Sequence, residues 1–135
     1  MKPEILLVDD NPREAELARL AFRGHGYGDA IRTAPGVAEA LQAAAAALPK
    51  LVLLDLKLGG TSGLELLARL KSDARTRAVP VVVMSTSREP RDIAESYRLG
   101  ANGYVVKPVD FDRFRDVARR LCDYWLGLNE LPQVD

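Results

Sequence analysis

The stretch ILLVDDNP, residues 5–12, runs four apolar side chains directly into two carboxylates, an asparagine and a proline. A short apolar run with polar residues at its end is typical of a strand buried on both faces. Asn11 and Pro12 then suit the N-cap and the first position of a helix. Adjacent carboxylates repel each other by about 1 kcal/mol at about 4 Å in water, and by more in a less polar setting. The stretch therefore predicts a strand, a helix and a positive partner for Asp9 and Asp10.

The same alternation of short apolar runs and helical patterns continues along the chain. Predicted strands cover residues 4–8, 29–33, 51–54, 79–84 and 103–106, and predicted helices cover residues 12–23, 36–48, 63–71, 90–99 and 110–126. Each crossover between parallel strands is right-handed and has to cover the sheet, so this order predicts an α/β fold with helices on both faces of a parallel sheet. We assign residues 1–126 to one domain and residues 127–135 to a C-terminal tail.

Composition narrows the classes of function. The 135 residues, 47% of them hydrophobic, fit a single domain with a real core. The formal net charge is zero, so no long-range field favours DNA or an anionic membrane as partner. Cys122 is the only cysteine, which excludes an internal disulfide and fits a buried hydrophobe. No signal peptide or membrane-spanning run is visible, and we expect a cytoplasmic protein.

Polar residues stand at the carboxyl ends of four predicted strands. They are Asp9 and Asp10, Asp55, the run 85–87, and Lys107. Ligands of open parallel sheets bind outside these ends, where the strand order reverses. With the order 2-1-3-4-5 this point brings the three aspartates together. Three carboxylates in one hollow need protons or a cation, and an oxygen-only ligand set favours Mg²⁺ or Mn²⁺ over zinc. Each aspartate taken alone is equally compatible with a loop residue or a helix cap.

Four segments resemble the receiver domain of two-component response regulators. They are LLVDD, LVLLDLKLGGTSGLELL, VPVVVMSTS and GANGYVVKP, and the resemblance spans about residues 4–125. It implies a flavodoxin-like, doubly wound sheet with strand order 2-1-3-4-5. It also implies a chemotaxis-type single-domain regulator in which Asp55 accepts a phosphoryl group from a phosphohistidine of a sensor histidine kinase. Such a domain passes its signal on by changing conformation and binding other proteins.

The resemblance implies a metal site as well. Asp10 and Asp55 would bind Mg²⁺ directly, Asp9 would act through a water molecule, and Lys57 would contribute its backbone carbonyl. The Lys57 side chain could shield the acyl phosphate or could be an ordinary exposed lysine. Many receivers have a proline shortly after the phosphoacceptor, whereas this chain has glycines at 59–60, so the lifetime of the phosphoryl group stays open.

Three further roles come from the same resemblance. Lys107 would bind the phosphoryl oxygens, Ser85 would turn toward the acyl phosphate, and Tyr104 would rotate inward behind it. The family pattern also implies a cis bond between Lys107 and Pro108, which would aim the lysine inward. Without the resemblance, Tyr104 could equally be a partly buried strand residue with its hydroxyl in water.

The fifth helix carries an apolar stripe that continues beyond a receiver's own core. Its members are Phe111, Phe114, Val117, Leu121, Trp125 and Leu128. With Tyr124 and Leu131, this stripe leaves more apolar surface than a monomer usually exposes. It predicts a homodimer through helices four and five and the tail, the alternative being a tail that folds back on its own helix. The segment DYWLGLNELP also resembles regulators that serve phytochrome-type histidine kinases.

Two other functions compete with the signalling domain. One is a Mg²⁺-dependent phosphatase with an aspartyl nucleophile on a related α/β fold. Such enzymes usually place a second aspartate two residues after the nucleophile, where this chain has Lys57. The other is a flavin-binding flavodoxin relative, which would need a phosphate-binding loop after the first strand. Too few residues follow 126 for a DNA-binding module, and we expect neither DNA nor a membrane as partner.

Overall fold

The structure, a computed structural model, describes residues 4–26 and 30–132. Within these ranges five strands form one parallel sheet: β1 (Ile5–Val8), β2 (Ile31–Ala34), β3 (Leu51–Leu54), β4 (Val81–Ser85) and β5 (Gly103–Val106). Their order, β2-β1-β3-β4-β5, confirms the predicted topology. A separate antiparallel hairpin pairs Lys57–Leu58 with Thr61–Ser62.

Five α-helices connect and cover these strands. They are α1 (Pro12–Arg23), α2 (Val37–Ala46), α3 (Gly63–Ser72), α4 (Pro90–Arg98) and α5 (Phe111–Cys122). The predicted fifth helix was one continuous segment to residue 126, but α5 gives way to a π-helix over Asp123–Leu128. The doubly wound fold is confirmed, with the C-terminal helix longer and less regular than the sequence predicts.

Proline explains two of the boundaries that differ from prediction. Strand β4 begins at Val81 rather than at residue 79, because Pro80 has no N–H with which to pair in a central strand. Helix α2 ends at Ala46 rather than at residue 48, and Ala47 is extended. Pro49 disfavours helical backbone in the residue before it, so the helix stops short. The predicted start of β2 at Asp29 lies outside the described residues.

The two faces of the sheet bury separate cores. Along β1, Ile5 and Leu7 pack on the α1 and α5 side, while Leu6 and Val8 pack on the α2 and α3 side. This alternation follows from the two-residue period of a strand. Both faces are covered, which is why the central strands carry continuous apolar runs.

The strand register aligns the ends where the polar residues were predicted to gather. Val8 of β1 pairs with Leu54 of β3, and Ser85 of β4 pairs with Val106 of β5. The Asp55 N–H donates to the Val8 carbonyl at 3.0 Å, one step beyond the last pair. The residues that follow these strands therefore leave the sheet along the same edge.

The C-terminal extension folds back on the protein's own core in part. Trp125 and Leu126 pack against the core on the α1 and α5 side, so part of the segment does fold back. Tyr124 and Leu128 remain 49% and 72% exposed. The apolar stripe is thus divided between the protein's own core and its surface.

Cys122 is fully buried, which confirms its interpretation as a core hydrophobe. In residues 4–26 and 30–132, no helix combines the length and the hydropathy needed to cross a membrane. His25 follows α1, and its Nε2 atom lies 2.8 Å from the Arg115 carbonyl oxygen of α5. This contact gives the histidine a structural role between two helices.

Candidate functional site

Three carboxylates converge on one ammonium group at the carboxyl edge of the sheet. Asp9 follows β1, Asp55 follows β3, and Glu14 projects from the first turn of α1. One oxygen from each lies within 4.8 Å of the others. Lys107, which follows β5, places Nζ 3.0 Å from Asp55 Oδ2 and 3.4 Å from both Asp9 Oδ2 and Glu14 Oε2. Lys107 thus gives Asp9 a positive partner from within the chain, while the predicted partner for Asp10 stays a prediction.

Burial and charge act against each other in this cluster. Burial lowers the pKa of Lys107, but the hydrogen bond to Asp55 and the negative charges around it outweigh burial, so its pKa lies above the ordinary value of 10.5. Burial raises the pKa of Asp9 above 3.8, even though the Asn11 N–H and Lys107 favour its charged form. Lys107 is therefore held in its charged form, whereas burial disfavours the charged form of Asp9.

Local backbone structure orients the two buried aspartates. The Lys57 N–H donates to Asp55 Oδ1 at 3.1 Å, which leaves Oδ2 toward Lys107. The Asn11 N–H donates to Asp9 Oδ1 at 2.9 Å. The Asn11 side chain in turn caps α1 by accepting from Arg13 N–H, which confirms the predicted cap. Both carboxylates thus present one oxygen each to the centre of the site.

Only some of the residues predicted to bind metal lie close together. Asp9 and Asp55 converge, and Glu14, which the sequence did not single out, completes their group. Asp10 is exposed and outside this group, and a methyl group on Gly59 would lie 3.6 Å from its Oδ2. The Lys57 side chain is exposed as well. Direct ligation by Asp10 and by the Lys57 carbonyl stays a prediction.

The donor set suits a hard divalent cation. All its side-chain ligand atoms are carboxylate oxygens, which Mg²⁺ and Mn²⁺ prefer. The group already neutralises one positive charge, that of Lys107, and three carboxylates around one ammonium leave negative charge in excess. The acidic cluster is therefore a possible metal site.

A cavity of about 310 Å³ opens beside the cluster. Asp9, Asp55 and Lys107 line one end of it, while Leu17, Met84 and Phe114 are among its apolar walls. The phosphoacceptor candidate retains 13% exposure of its side chain. The site is consequently a hollow at the sheet edge, with acids and amine accessible from one side.

The two predicted switch residues meet through a third residue. Ser85 is buried at the end of β4, and its Oγ accepts a hydrogen bond from the Ser87 N–H at 3.1 Å. The Tyr104 hydroxyl donates to the Ser87 carbonyl at 3.0 Å, so it is bonded to protein. A direct bond between Ser85 and Asp55 is absent among the described residues. Their switching roles stay a prediction.

The expected cis bond before Pro108 is wrong for this structure, in which the Lys107–Pro108 bond is trans and cis bonds are absent from the described ranges. Trans is the isomer of lower free energy for an X–Pro bond by about 0.5–1 kcal/mol. Lys107 reaches Asp55 all the same, because its backbone N–H is anchored to the Ser85 carbonyl at 2.8 Å.

Comparison with known proteins decides the family. The model of the response regulator receiver domain matches residues 5–119, which include the whole sheet and all the acids of the cluster. The chain belongs to the response regulator receiver domain family. It is thus a signalling domain of two-component systems, and the competing phosphatase and flavodoxin interpretations are not favoured.

Sequence alignments with individual relatives cover most of the chain. The chain is 36% identical over 134 residues to the probable methanogenesis regulatory protein FilR2 of Methanothrix harundinacea, covering 95% of this chain and 86% of FilR2. It is also 36% identical over 108 residues to the DNA-binding response regulator MtrA of Mycolicibacterium smegmatis, covering 80% of this chain and 45% of MtrA. The chain therefore resembles one regulator of similar length and another of which it spans less than half.

Two solved structures share its fold closely. The phosphorylated cyanobacterial phytochrome response regulator RcpA has a TM-score of 0.88 at 32% identity, with 98% of this chain and 100% of RcpA covered. The response regulator RPA3017, from red light signalling of R. palustris, has a TM-score of 0.87 at 25% identity, with 98% and 99% covered. Both matches include the C-terminal extension beyond the family model.

Proposed function

We propose that this receiver domain accepts a phosphoryl group on Asp55 from a phosphohistidine of a sensor histidine kinase. The observation that carries the proposal is the contact between Asp55 Oδ2 and Lys107 Nζ inside an otherwise acidic cluster. A carboxylate can attack phosphorus only where the negative charges around it are neutralised. Asp55 is the acid of the cluster that this lysine contacts most closely.

The chain's own residues supply orientation and charge for the transfer. Asp55 donates an electron pair to phosphorus as the bond from phosphorus to the imidazole nitrogen breaks, and the imidazole keeps that pair. The Lys57 N–H holds Asp55 Oδ1 in place. Lys107 then neutralises charge on the phosphoryl oxygens, a role that suits a buried amine kept positively charged. Ser85, with a hydroxyl proton to donate, would bond to one of those oxygens.

Mg²⁺ fits the acidic cluster, in which Asp9 and Asp55 would hold it, and Asp10 beside the cluster and the Lys57 carbonyl would be further ligands. When bound, it neutralises negative charge between the carboxylates and the phosphoryl group. Glu14 adds a carboxylate to this set from α1.

Intact-mass measurement with acetyl phosphate and Mg²⁺ tests the phosphoacceptor. The wild type should gain one phosphoryl group, whereas Asp55→Asn should gain none and EDTA should abolish the gain. Asp10→Asn should reduce the gain if Asp10 binds the metal. Continuous release of phosphate from unrelated esters would instead indicate a phosphatase, and an unmodified wild type would refute the proposal.

A phytochrome-type histidine kinase is the partner we propose. Support comes from the similarity over nearly the full chain to RcpA, a phytochrome response regulator, and to RPA3017 of red light signalling. Phosphotransfer from a purified phytochrome-type kinase should be at least about tenfold faster than from a kinase of another sensor class. Equal rates from both kinases would contradict the assignment.

We further propose a homodimer through α4, α5 and the C-terminal segment. Its support is the exposure of large apolar side chains there: Tyr97 on α4 and Phe111 on α5 are 50% and 39% exposed, and Tyr124 and Leu128 follow α5. Sedimentation velocity of the wild type and Leu128→Asp, with and without phosphorylation, tests it. A wild type that sediments as a monomer in both states would refute the dimer.

A further inference from the structure

Ser87 uses all of its polar groups in the loop between β4 and α4. Its N–H donates to Ser85 Oγ at 3.1 Å, and its carbonyl accepts from the Tyr104 hydroxyl at 3.0 Å. Its own hydroxyl donates to Asp92 Oδ2 at 2.5 Å and accepts from the Glu89 N–H at 3.1 Å. One residue thus contacts both predicted switch hydroxyls and the start of a helix.

Ser87 also contacts the start of α4. Glu89 occupies the N-cap position of α4 and makes no capping hydrogen bond with its own side chain. The Ser87 hydroxyl accepts from the N–H of the N-cap residue Glu89 and donates to Asp92 in the first helical turn. Asp92 is itself tied into the helix, since its carbonyl accepts from the fully buried Ser96 hydroxyl. Hydrogen bonds therefore link Ser87 to the N-terminus of α4.

The contact with Ser85 leaves that hydroxyl ready for a ligand. A hydroxyl has one proton to donate and two lone pairs to accept with. The Ser87 N–H occupies a lone pair of Ser85 Oγ, so the proton remains for an acceptor such as a phosphoryl oxygen. The resemblance selects Ser85 from the three hydroxyls of residues 85–87, and this hydrogen-bonding pattern is consistent with that choice.

We propose that Ser87 is a positioning residue that joins the Ser85 hydroxyl, the Tyr104 hydroxyl and the N-terminus of α4 into one moving unit. The inference rests on the proposed function, because Ser85 is taken to bond to the phosphoryl group on Asp55. It adds a specific route by which that bond reaches α4. When Ser85 moves toward Asp55, its hydrogen bond to the Ser87 N–H moves Ser87 with it. The hydrogen bond between Ser87 and Asp92 then displaces the start of α4.

Nuclear magnetic resonance of ¹⁵N-labelled protein with Mg²⁺ and beryllofluoride, an acyl-phosphate analogue, tests this route. In the wild type, beryllofluoride should shift the amide resonances of α4. In Ser87→Ala and Asp92→Ala these shifts should fall to less than half. Ser87→Thr and Asp92→Asn, which keep a donor and an acceptor, should restore them, and Thr86→Ala should resemble the wild type.

The outcomes separate this inference from the proposed function. An Asp55 that gains no phosphoryl group from acetyl phosphate refutes the function, whereas wild-type α4 shifts in phosphorylated Ser87→Ala refute only the role of Ser87. Hydrogen exchange of the Glu89 amide gives a readout without phosphorylation. Exchange should be at least about tenfold faster in Ser87→Ala than in Thr86→Ala, and equal rates would overturn the proposal.

Discussion

Lys107 Nζ lies 3.0 Å from Asp55 Oδ2, although 52 positions separate the two residues in the chain. The same nitrogen lies 3.4 Å from Asp9 and from Glu14, so one ammonium serves three carboxylates. A divalent cation would bind to the same oxygens. We therefore predict that Lys107 and a divalent cation compete for these carboxylates in the unphosphorylated protein, and this competition can be measured.

Replacement of Lys107 by methionine should expose that competition. The change leaves three carboxylates without their ammonium, and we expect the free energy of unfolding in EDTA at pH 7 to fall by about 1–3 kcal/mol. Mg²⁺ should then stabilise the variant more than it stabilises the wild type, because metal binding no longer displaces an ammonium. Urea unfolding with and without Mg²⁺ measures both effects. Lys57→Met, at an exposed lysine, is the control. If Mg²⁺ raised the free energy of unfolding equally in Lys107→Met and in the wild type, the predicted competition would be wrong.

Asp9→Asn should stabilise the metal-free protein at neutral pH. Burial raises the pKa of Asp9 in the folded state above its value of 3.8 in the unfolded chain, so the folded state holds the proton more tightly. The stability gained from the protonated form is complete below pH 3.8 and is lost as the pH rises through the folded pKa. Asparagine stays neutral throughout, so the variant's advantage in free energy of unfolding should be largest at pH 7 and should shrink toward pH 4. The exposed neighbour Asp10→Asn serves as the comparison, and a variant less stable than wild type at pH 7 would refute the prediction.

The fold was predictable where local signals agree with the topology. Strands β3 and β5 and helix α1 have the predicted bounds, because apolar runs mark the strands and Asn11 and Pro12 mark the start of α1. Besides the two boundaries set by prolines, one error arose where tertiary packing extends an element. The chain from Asp123 continues as a π-helix because Trp125 and Leu126 find core contacts that local propensity does not encode.

The site was predictable from strand ends but not from helices. The topology alone brings Asp9, Asp55 and Lys107 to one edge, whereas Glu14 reaches them from α1. An acid in the first turn of a helix is common, since the helix dipole stabilises its negative charge. Only the packing of α1 against the sheet gives Glu14 a further role. The hub position of Ser87 likewise depends on loop geometry that no sequence pattern specifies.

Cys122 should be unreactive in the folded protein. Burial raises its pKa from 9.0 to about 12, which lowers the thiolate fraction at pH 8 about a thousandfold, and the thiolate is the reactive form. Alkylation by iodoacetamide at pH 8 should accordingly be at least about a hundredfold slower in buffer than in denaturing urea. Because it is the only cysteine, mass spectrometry reports on this residue alone. The raised pKa also makes stability depend on pH. It contributes to the free energy of unfolding below pH 9, and this contribution is lost as the pH rises toward 12. Rapid alkylation without urea would show that the C-terminal helix opens readily.

Gly63→Ala should impair the site without touching an acid. A Cβ at this position would lie 2.3 Å from the Asp55 carbonyl oxygen and 3.0 Å from Leu56 Cα, so the backbone beside the phosphoacceptor has to move. We expect a loss of about 1–3 kcal/mol in the free energy of unfolding, as for other overpacked sites. Phosphorylation of Asp55 by acetyl phosphate should slow as well, because its side-chain oxygens shift relative to Lys107.

Gly60→Ala is the matched control for this change. It lies three residues away in the same segment, its Cβ would meet no atom within 4 Å, and its φ is not positive. Its stability should therefore stay the same or rise by up to about 1 kcal/mol through the lower entropy of the unfolded chain. Chemical denaturation gives the stability of both variants, and intact mass over time gives their phosphorylation rates. If Gly63→Ala were phosphorylated as fast as Gly60→Ala, the position of the Asp55 backbone would not depend on its close approach to α3.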